Sequence, residues 1–449
     1  VTIADWVARG FSDADARSRS LLQQRVVDGF RQRHRREPVW QWWVPGRVEW
    51  FGKHTDYAGG DSLVSAVPRG FIIAAAPRVD DRLVVVDACD GAQVELHVPQ
   101  GVPSDTIGSG AAHRWAVYVR AVARRLAANF PEALLGADIV FASDLPRAAG
   151  LSSSSALVVG LALALIRRGR LEAHPAWPAL LHTSPGLAWY LGCIENGSAW
   201  GPLAGEAGVG THGGSEDHVA ILNARPGHVS HYGYVPVQHR GEVPLPAGWT
   251  LLVASSGVQA EKTGAAMADY NRAADAVHRM QAWWNAQAAE PVTSLVDVLA
   301  QGDAEGQLRH WMSTQPDGAW LAHRLQHLQR EHVRVAQAAQ ALAGGDVEML
   351  GGLAAASQAD AEALLGNQIA ETSALVELAR GLGAGAASAF GAGYGGSVWA
   401  LVPTAEAETL AHAWRTAYLR RWPPHEVRCE VCVAQPGPGA FALPPVPPT

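Results

Sequence analysis

The sequence predicts a chain of mixed strands and helices, with material for two domains or three. Three observations carry this. Its 449 residues exceed what one ordinary domain needs. Its hydrophobic content of 48 %, interspersed with both signs of charge, is enough for a sizeable core. Short apolar runs bounded by turn residues fill the first half, whereas residues 292 to 379 are mostly helical and rich in Ala, Leu, Gln and His.

The elements follow in order. Residues 1–37 read as helical, with Ile3, Trp6, Val7 and Leu21, Leu22, Val26 at helix-like spacing. Strands are expected at Phe71–Ala76, Leu83–Asp87, Gln93–Val98 and Ala137–Ala142, with a helix at Trp115–Ala127 between the last two. An apolar helix covers Ala156–Ile166, and Val219–Leu222 and Val229–Val235 read as strand-like. A strand at Leu251–Ala254 precedes a helix around Thr263–Trp283. Beyond the helical stretch come a strand at Val398–Val402, a helix at Glu406–Trp422 and a strand at Glu426–Val433. The Pro-rich Pro436–Thr449 reads as a tail.

Composition excludes several classes of function. A net charge of −7 gives no general attraction to nucleic acid or to an anionic membrane. The basic cluster Arg31–Arg36 fits an exposed helical face. The start of the chain carries early acids and lacks the look of a signal peptide, and the apolar run at Ala156–Ile166 is too short to span a bilayer. A cytoplasmic protein, monomeric or weakly dimeric, is expected. Four cysteines in a chain this long make no disulfide framework, and Cys429 and Cys432 lie in a strand-like stretch without a second ligand pair. His323 and His327, one helical turn apart, lack an evident third metal ligand and read as polar helix surface.

Chemistry concentrates in three places. The first is Val44-Pro-Gly-Arg-Val-Glu-Trp-Phe-Gly-Lys-His-Thr-Asp-Tyr-Ala-Gly-Gly60, where apolar Val44, Val48, Trp50 and Phe51 support a turn carrying Arg47, Glu49, Lys53, His54 and Asp56. Lys53 is one of two lysines in the chain, the other being Lys262, so it is a candidate for a position that needs a compact ammonium. The second is Asp144-Leu-Pro-Arg-Ala-Ala-Gly-Leu-Ser-Ser-Ser-Ser-Ala156. Here a strand, a small-residue loop and a helix in succession present free backbone N–H groups and the positive end of a helix dipole. It is neither a Walker loop nor a hydrolase elbow. The third is the Gly- and Ala-rich segment from Gly381 to Ser397, whose composition permits close backbone approach.

These three segments, in this order, resemble the three motifs of the GHMP kinases and, within them, the galactokinase branch. The first resembles Gly-Arg-Val-Asn-x-x-Gly-Glu-His-Thr-Asp-Tyr-x-Gly-Gly, the second the phosphate loop, and Phe390–Ser397 the C-terminal glycine motif. The resemblance implies a two-domain α+β fold with its active site in the interdomain cleft, divided here as residues 1–236 and 237–449. It implies transfer of a phosphoryl group from ATP, with Mg²⁺, to the anomeric hydroxyl of galactose or a related hexose. By the same resemblance, Asp217 and Arg47 are the catalytic pair. Lys53, His54, Asp56, Gly214 and Tyr270 would meet the sugar. Gly150, Leu151, Ser152, Ser153, Ser154 and Ser155 would cradle the nucleotide phosphates, and Ser154 with Glu195 would bind the metal, with Glu206 as the fallback for Glu195. Lys53 stands where the branch has Glu, and Glu49 where it has Asn. A Lys at the sugar would suit a carboxylate, so galacturonate is an expected candidate substrate; the other reading pairs Lys53 with Glu49, away from the sugar. Ala148 replaces a loop glycine and His218 a Gln. A non-catalytic sugar and ATP sensor on the same fold is the alternative function.

Overall fold

A computed structural model describes residues 1–98, 115–146, 149–259 and 267–444. Ala148, Lys262 and the start of the helix expected from Thr263 lie outside them. The described elements run α1 (Ile3–Val7), α2 (Asp13–His34), β1 (Trp40–Phe51), β2 (Asp61–Pro77), β3 (Arg82–Asp87), β4 (Gln93–His97), α3 (Ala116–Asn129), β5 (Ala137–Ser143), α4 (Ser153–Gly169), α5 (Ser184–Asn196), α6 (Glu216–Asn223), β6 (His228–Gly233) and β7 (Gln238–Pro244). They continue β8 (Trp249–Ser255), α7 (Met267–Asn285), α8 (Leu295–Leu299), α9 (Ala304–Ser313), α10 (Gly318–Gly344), α11 (Val347–Asp360), α12 (Ala370–Gly381), β9 (Ala386–Ala389), β10 (Ser397–Pro403), α13 (Ala407–Arg421), β11 (Glu430–Val433) and β12 (Phe441–Leu443).

Among the described residues, two sheets form. The larger runs β12-β1-β2-β5-β3-β4, with β6 joined to β2 and β7 to β6. Its backbone is the long β2, which pairs β1 throughout, β6 at its start and β5 at its end. Helices cover both faces. Trp6 of α1 and Ala16, Val26 and Phe30 of α2 pack on Trp43, Ile72 and Ala74. The opposite face, with Val44, Ile73 and Phe141, takes the apolar sides of α3, α4 and α5. The smaller sheet, β11-β8-β10-β9, is backed by α12 and α13. Helices α7 to α10 pack around Val277, Met280, Leu308 and Leu325.

The two sheets meet through aromatic rings. Trp50 and Phe51 of β1 lie 5.0 and 6.0 Å from Trp399 of β10, and all three are fully buried. Such pairs add about 0.5–1.5 kcal/mol each beyond the area they bury. The strand that ends in the charged turn is thereby clamped between the two halves. Among the described residues, no helix is long and apolar enough to cross a membrane.

Several expectations need correction. Val219–Leu222 lies in helix α6, which opens with Glu216 and Asp217 in its first turn; an apolar run this short fits either period. The stretch from Glu426 forms a strand only from Glu430, after a short 3-10 turn at Pro423–His425. The Pro-rich end is no tail over its described part. Gly437 bridges Ala66, and β12 pairs antiparallel with β1. The division expected at residues 236 and 237 falls within the β6–β7 hairpin, so the first sheet takes in strands on both sides of it.

Candidate active site

The site is built on the bulged end of β1. Its register with β2 shifts between Pro45 and Arg47 and again between Glu49 and Phe51. Bulges re-aim side chains, and Arg47 and Glu49, two residues apart, reach the same cleft. Gly52 then turns the chain at φ 107°, where an added Cβ would lie 2.4 Å from the Ser62 Cβ. Thr55 stitches the turn through its Oγ1, which donates to the Gly52 and Asp61 carbonyls at 2.8 Å each. A 3-10 turn at Asp56–Ala58 completes it.

A cleft opens above this turn. It is lined by Arg47, Glu49, His54, Asp56 and Tyr57 from the turn, Ser155 from α4, Glu195 from α5, Glu216, Asp217 and His218 from α6, and Tyr270 from α7. Gly214 lines it too, and a Cβ there would fall 2.2 Å from Asp56 Oδ2. Asp56 in turn accepts from the Glu216 N–H at 3.1 Å, so the Gly-rich segment and the turn interlock.

At the centre, Arg47 Nε donates to Asp217 Oδ1 at 2.7 Å and its Nη2 lies 2.6 Å from the same oxygen. Its Nη1 donates to the Gly150 carbonyl at 2.6 Å, tying β1 to the serine loop. Burial disfavours the guanidinium charge, but Asp217, Glu216 and Glu49 outweigh it and hold the Arg47 pKa above its ordinary value. Ser155 Oγ donates to Glu195 Oε2 at 2.8 Å and to Asp217 Oδ2 at 3.2 Å. His218 Nε2 lies 3.1 Å from that Glu195 oxygen. His54, at φ 57°, has Nδ1 at 2.8 Å from the Tyr57 hydroxyl and Nε2 at 3.2 Å from the Ala392 carbonyl. Its ring centroid is 5.8 Å from that of Tyr270.

The geometry sorts the expected residues. Arg47, His54, Asp56, Glu195, Gly214, Asp217 and Tyr270 converge on one cleft. Of the serines, it is Ser155, not Ser154, that faces the carboxylates, because the phase of α4 turns Ser154 out of the lining. Gly150 and Leu151 contribute carbonyls to Arg47, while Ser152 and Ser153 open helix α4. Glu206 is outside the cleft, paired with Arg124 at 2.6 Å. His327 is buried rather than on a polar surface, where Arg324 Nη1 lies 3.2 Å from its Nδ1; burial first, then Arg324, push its pKa well down.

Lys53 is the main correction. It is fully buried and does not line the cleft. Its Nζ donates to Ser357 of α11 at 2.8 Å and to Ser388 of β9 at 2.9 Å. Ser357 passes the contact to Glu331 of α10 at 2.9 Å, and Glu331 also accepts from the Gly52 N–H at 3.0 Å. Glu331 is paired to Arg334, and Arg334 to Asp360. The ammonium therefore anchors the turn to the second half of the chain. Sequence reasoning did not assign Glu216, Tyr57 or a cleft-facing Glu49. The usable signals were an acid adjacent to Asp217 and a Tyr following Asp56 in the turn.

The residues present fit a nucleotide phosphate and a hard cation. Helix α4 begins after Gly150 at φ 77° and Ser152 at φ 57°, and Ser152 Oγ is buried without a partner among the described residues. Gly391 sits so close that an added Cβ would lie 3.3 Å from the Gly150 carbonyl and 3.4 Å from Arg47 Nη2. A hydroxyl and carboxylates are the oxygen donors that Mg²⁺ takes.

Comparison with known proteins agrees with this geometry. The galactokinase galactose-binding signature matches residues 28–77, the GHMP kinases N terminal domain residues 117–176, and the GHMP kinases C terminal domain residues 338–420. A galactokinase of Roseiflexus sp. (strain RS-1) is 30% identical over 377 residues, covering 84% of this chain and 86% of the relative. The chain belongs to the galactokinase family. A galactokinase of Actinobacillus pleuropneumoniae serotype 5b (strain L20) is 27% identical over 373 residues, covering 82% of this chain and 86% of its own. In fold, this family member is similar to Lactococcus lactis galactokinase, solved in complex with galactose, with a TM-score of 0.72 at 20% identity, covering 95% of this chain and 100% of the other. It is also similar to L. major mevalonate kinase, with a TM-score of 0.51 at 18% identity, covering 88% of this chain and 95% of the other. The α+β kinase fold expected from the motifs is thereby borne out, and the protein is a galactokinase-like sugar kinase.

Proposed function

We propose that this kinase transfers the γ-phosphoryl group of ATP to the anomeric hydroxyl of galactose or a closely related hexose. The observation that carries the reading is the Arg47–Asp217 contact at 2.7 Å, set in a cleft with His54, Asp56 and Tyr270. Asp217 sits in the first turn of α6, whose dipole favours a negative charge there. Paired with Arg47, it lies beside the sugar hydroxyl, where it accepts the hydroxyl proton or stabilises the charge that develops. Asp56 and His54 orient the sugar, and the N–H groups at the start of α4 receive phosphate oxygens. Ser155 and Glu195 are the residues that would hold Mg²⁺. The ion, when bound, offsets phosphate charge.

The expectation of a uronate rested on a sugar-facing Lys53. That ammonium bonds Ser357 and Ser388 outside the cleft, so it supplies no cation for a substrate carboxylate. ATP consumption measured against a panel of galactose, glucose, galacturonate and amino hexoses tests the proposal. Turnover of galactose, lost in Asp217→Asn, supports it. Sugar and ATP binding without any turnover would instead identify a sensor.

A further inference from the structure

The cleft holds two acids that the reaction outlined above does not use. Glu49 and Glu216 both line it and are 4 % and 5 % exposed. Their carboxyls lie within hydrogen-bonding reach of each other, so together they can hold one shared proton. Glu49 Oε1 is buried and finds no donor among the described residues. A buried acceptor without a donor is costly, and a ligand can supply what is missing.

The charges around the pair are unequal. Glu49 is faced by Arg47 and Lys53 from its own strand and turn, by Glu216 from α6 and by Glu331 from α10. Glu216 is faced by Glu49, Asp56, Arg47 and Asp217, and Tyr234 lies within its field. Of these cations only Arg47 lines the cleft, and Asp217 occupies it; Glu49, Asp56, Glu195, Glu216 and Asp217 line the cleft as acids. Burial raises the proton affinity of both Glu49 and Glu216, Glu49 to a pKa of about 7.

We propose that Glu49 and Glu216 are specificity-determining residues that read a donor group on the sugar, admitting hydroxyl- or ammonium-bearing hexoses and rejecting uronates. The inference rests on the kinase reading and names its substrate class. A sugar hydroxyl donates to the free oxygen of Glu49. A sugar ammonium donates there more strongly and takes over the role of the shared proton, which leaves to solvent on binding. A uronate carboxylate brings a further negative charge into a cleft already rich in them.

The test measures binding and turnover of galactose, 2-amino-2-deoxygalactose, 6-amino-6-deoxygalactose and galacturonate by wild type, Glu49→Gln and Glu216→Gln. Calorimetry in two buffers of different ionisation enthalpy counts protons released. At least one amino sugar is expected to bind wild type with proton release near neutral pH, and galactose without it. Glu49→Gln is expected to weaken that amino sugar relative to galactose by about tenfold or more, and to abolish the proton release. Glu216→Gln is expected to abolish it too, and either variant to improve galacturonate. Binding with unchanged amino-sugar to galactose ratios in both variants overturns the proposal. So does a wild type that prefers galacturonate to galactose, or binds neither amino sugar. Binding with the expected ratios but no phosphorylation overturns the kinase reading alone, and thermal unfolding of each variant separates misfolding from lost recognition.

Discussion

Two buried cations stand six residues apart on one strand and turn, and they do opposite things. Arg47 opens onto the cleft, where Asp217 and the Gly150 carbonyl hold it. Lys53 is closed off among Ser357, Ser388 and, through Ser357, Glu331. Both sit beside acids. The difference lies in what packs over them: α4, α6 and an open cleft for Arg47, α10, α11 and β9 for Lys53. A charge in a motif acquires its role from the elements that come to meet it. Here those elements lie some 103 to 335 residues further along the chain.

The comparison can be broken in four ways. The largest effect is expected at the open cation's partner. Asp217→Asn should lower kcat by about 10²–10⁴-fold in steady-state assays, with the fold retained by circular dichroism; near-normal turnover would remove Asp217 from the chemistry. At the closed cation, Lys53→Met leaves Glu331 with less compensation and should cost about 3–5 kcal/mol in denaturant unfolding. Sugar selectivity among neutral and acidic hexoses should not move, and a switch in that selectivity would return Lys53 to the cleft. Third, Ser155→Ala should weaken apparent Mg²⁺ affinity roughly 10–100-fold, whereas Ser154→Ala should leave it unchanged; the reverse order would restore Ser154 as the metal ligand.

The smallest effect concerns pH. Burial raises Glu49 from its ordinary 4.5 to about 7, so the folded state binds more protons than the unfolded state between these values. Stability contributed by this group therefore falls as pH rises through that window. Melting temperatures of wild type and Glu49→Gln, compared from about pH 5 to about pH 8, should diverge in favour of the variant as pH rises. A constant difference would mean that Glu49 ionises normally.

Much of this was legible in the residues. The turn after β1 could be read because Arg, Lys, His and acids rarely crowd among glycines without a chemical reason. The serine loop could be read because strand, small residues and apolar helix occur in that order. Which serine faces the carboxylates could not be read, since four in a row leave the helix phase open and one residue turns a side chain by about 100°. Val219–Leu222 was misread because four apolar residues satisfy both periods, and the acids ahead of them fall in the first turn of a helix. The direction of Lys53 was illegible for a different reason. It is decided by two β-bulges and by serines far along the chain, neither of which local pattern records. β12 was hidden because three residues among prolines look like a loop until an edge strand is waiting for them.

That last strand has a consequence for biosynthesis. β1 carries the catalytic turn on one end and an open hydrogen-bonding edge along the other, and that edge is closed by Phe441–Leu443. Phe441–Leu443 follow every other strand of this sheet in the chain, so until they dock a row of unpaired amides and carbonyls beside Trp42 and Trp43 is available to other chains. Nascent-chain release or proteolytic loss just before Phe441 would therefore be felt first as self-association, with the reactive centre itself still intact.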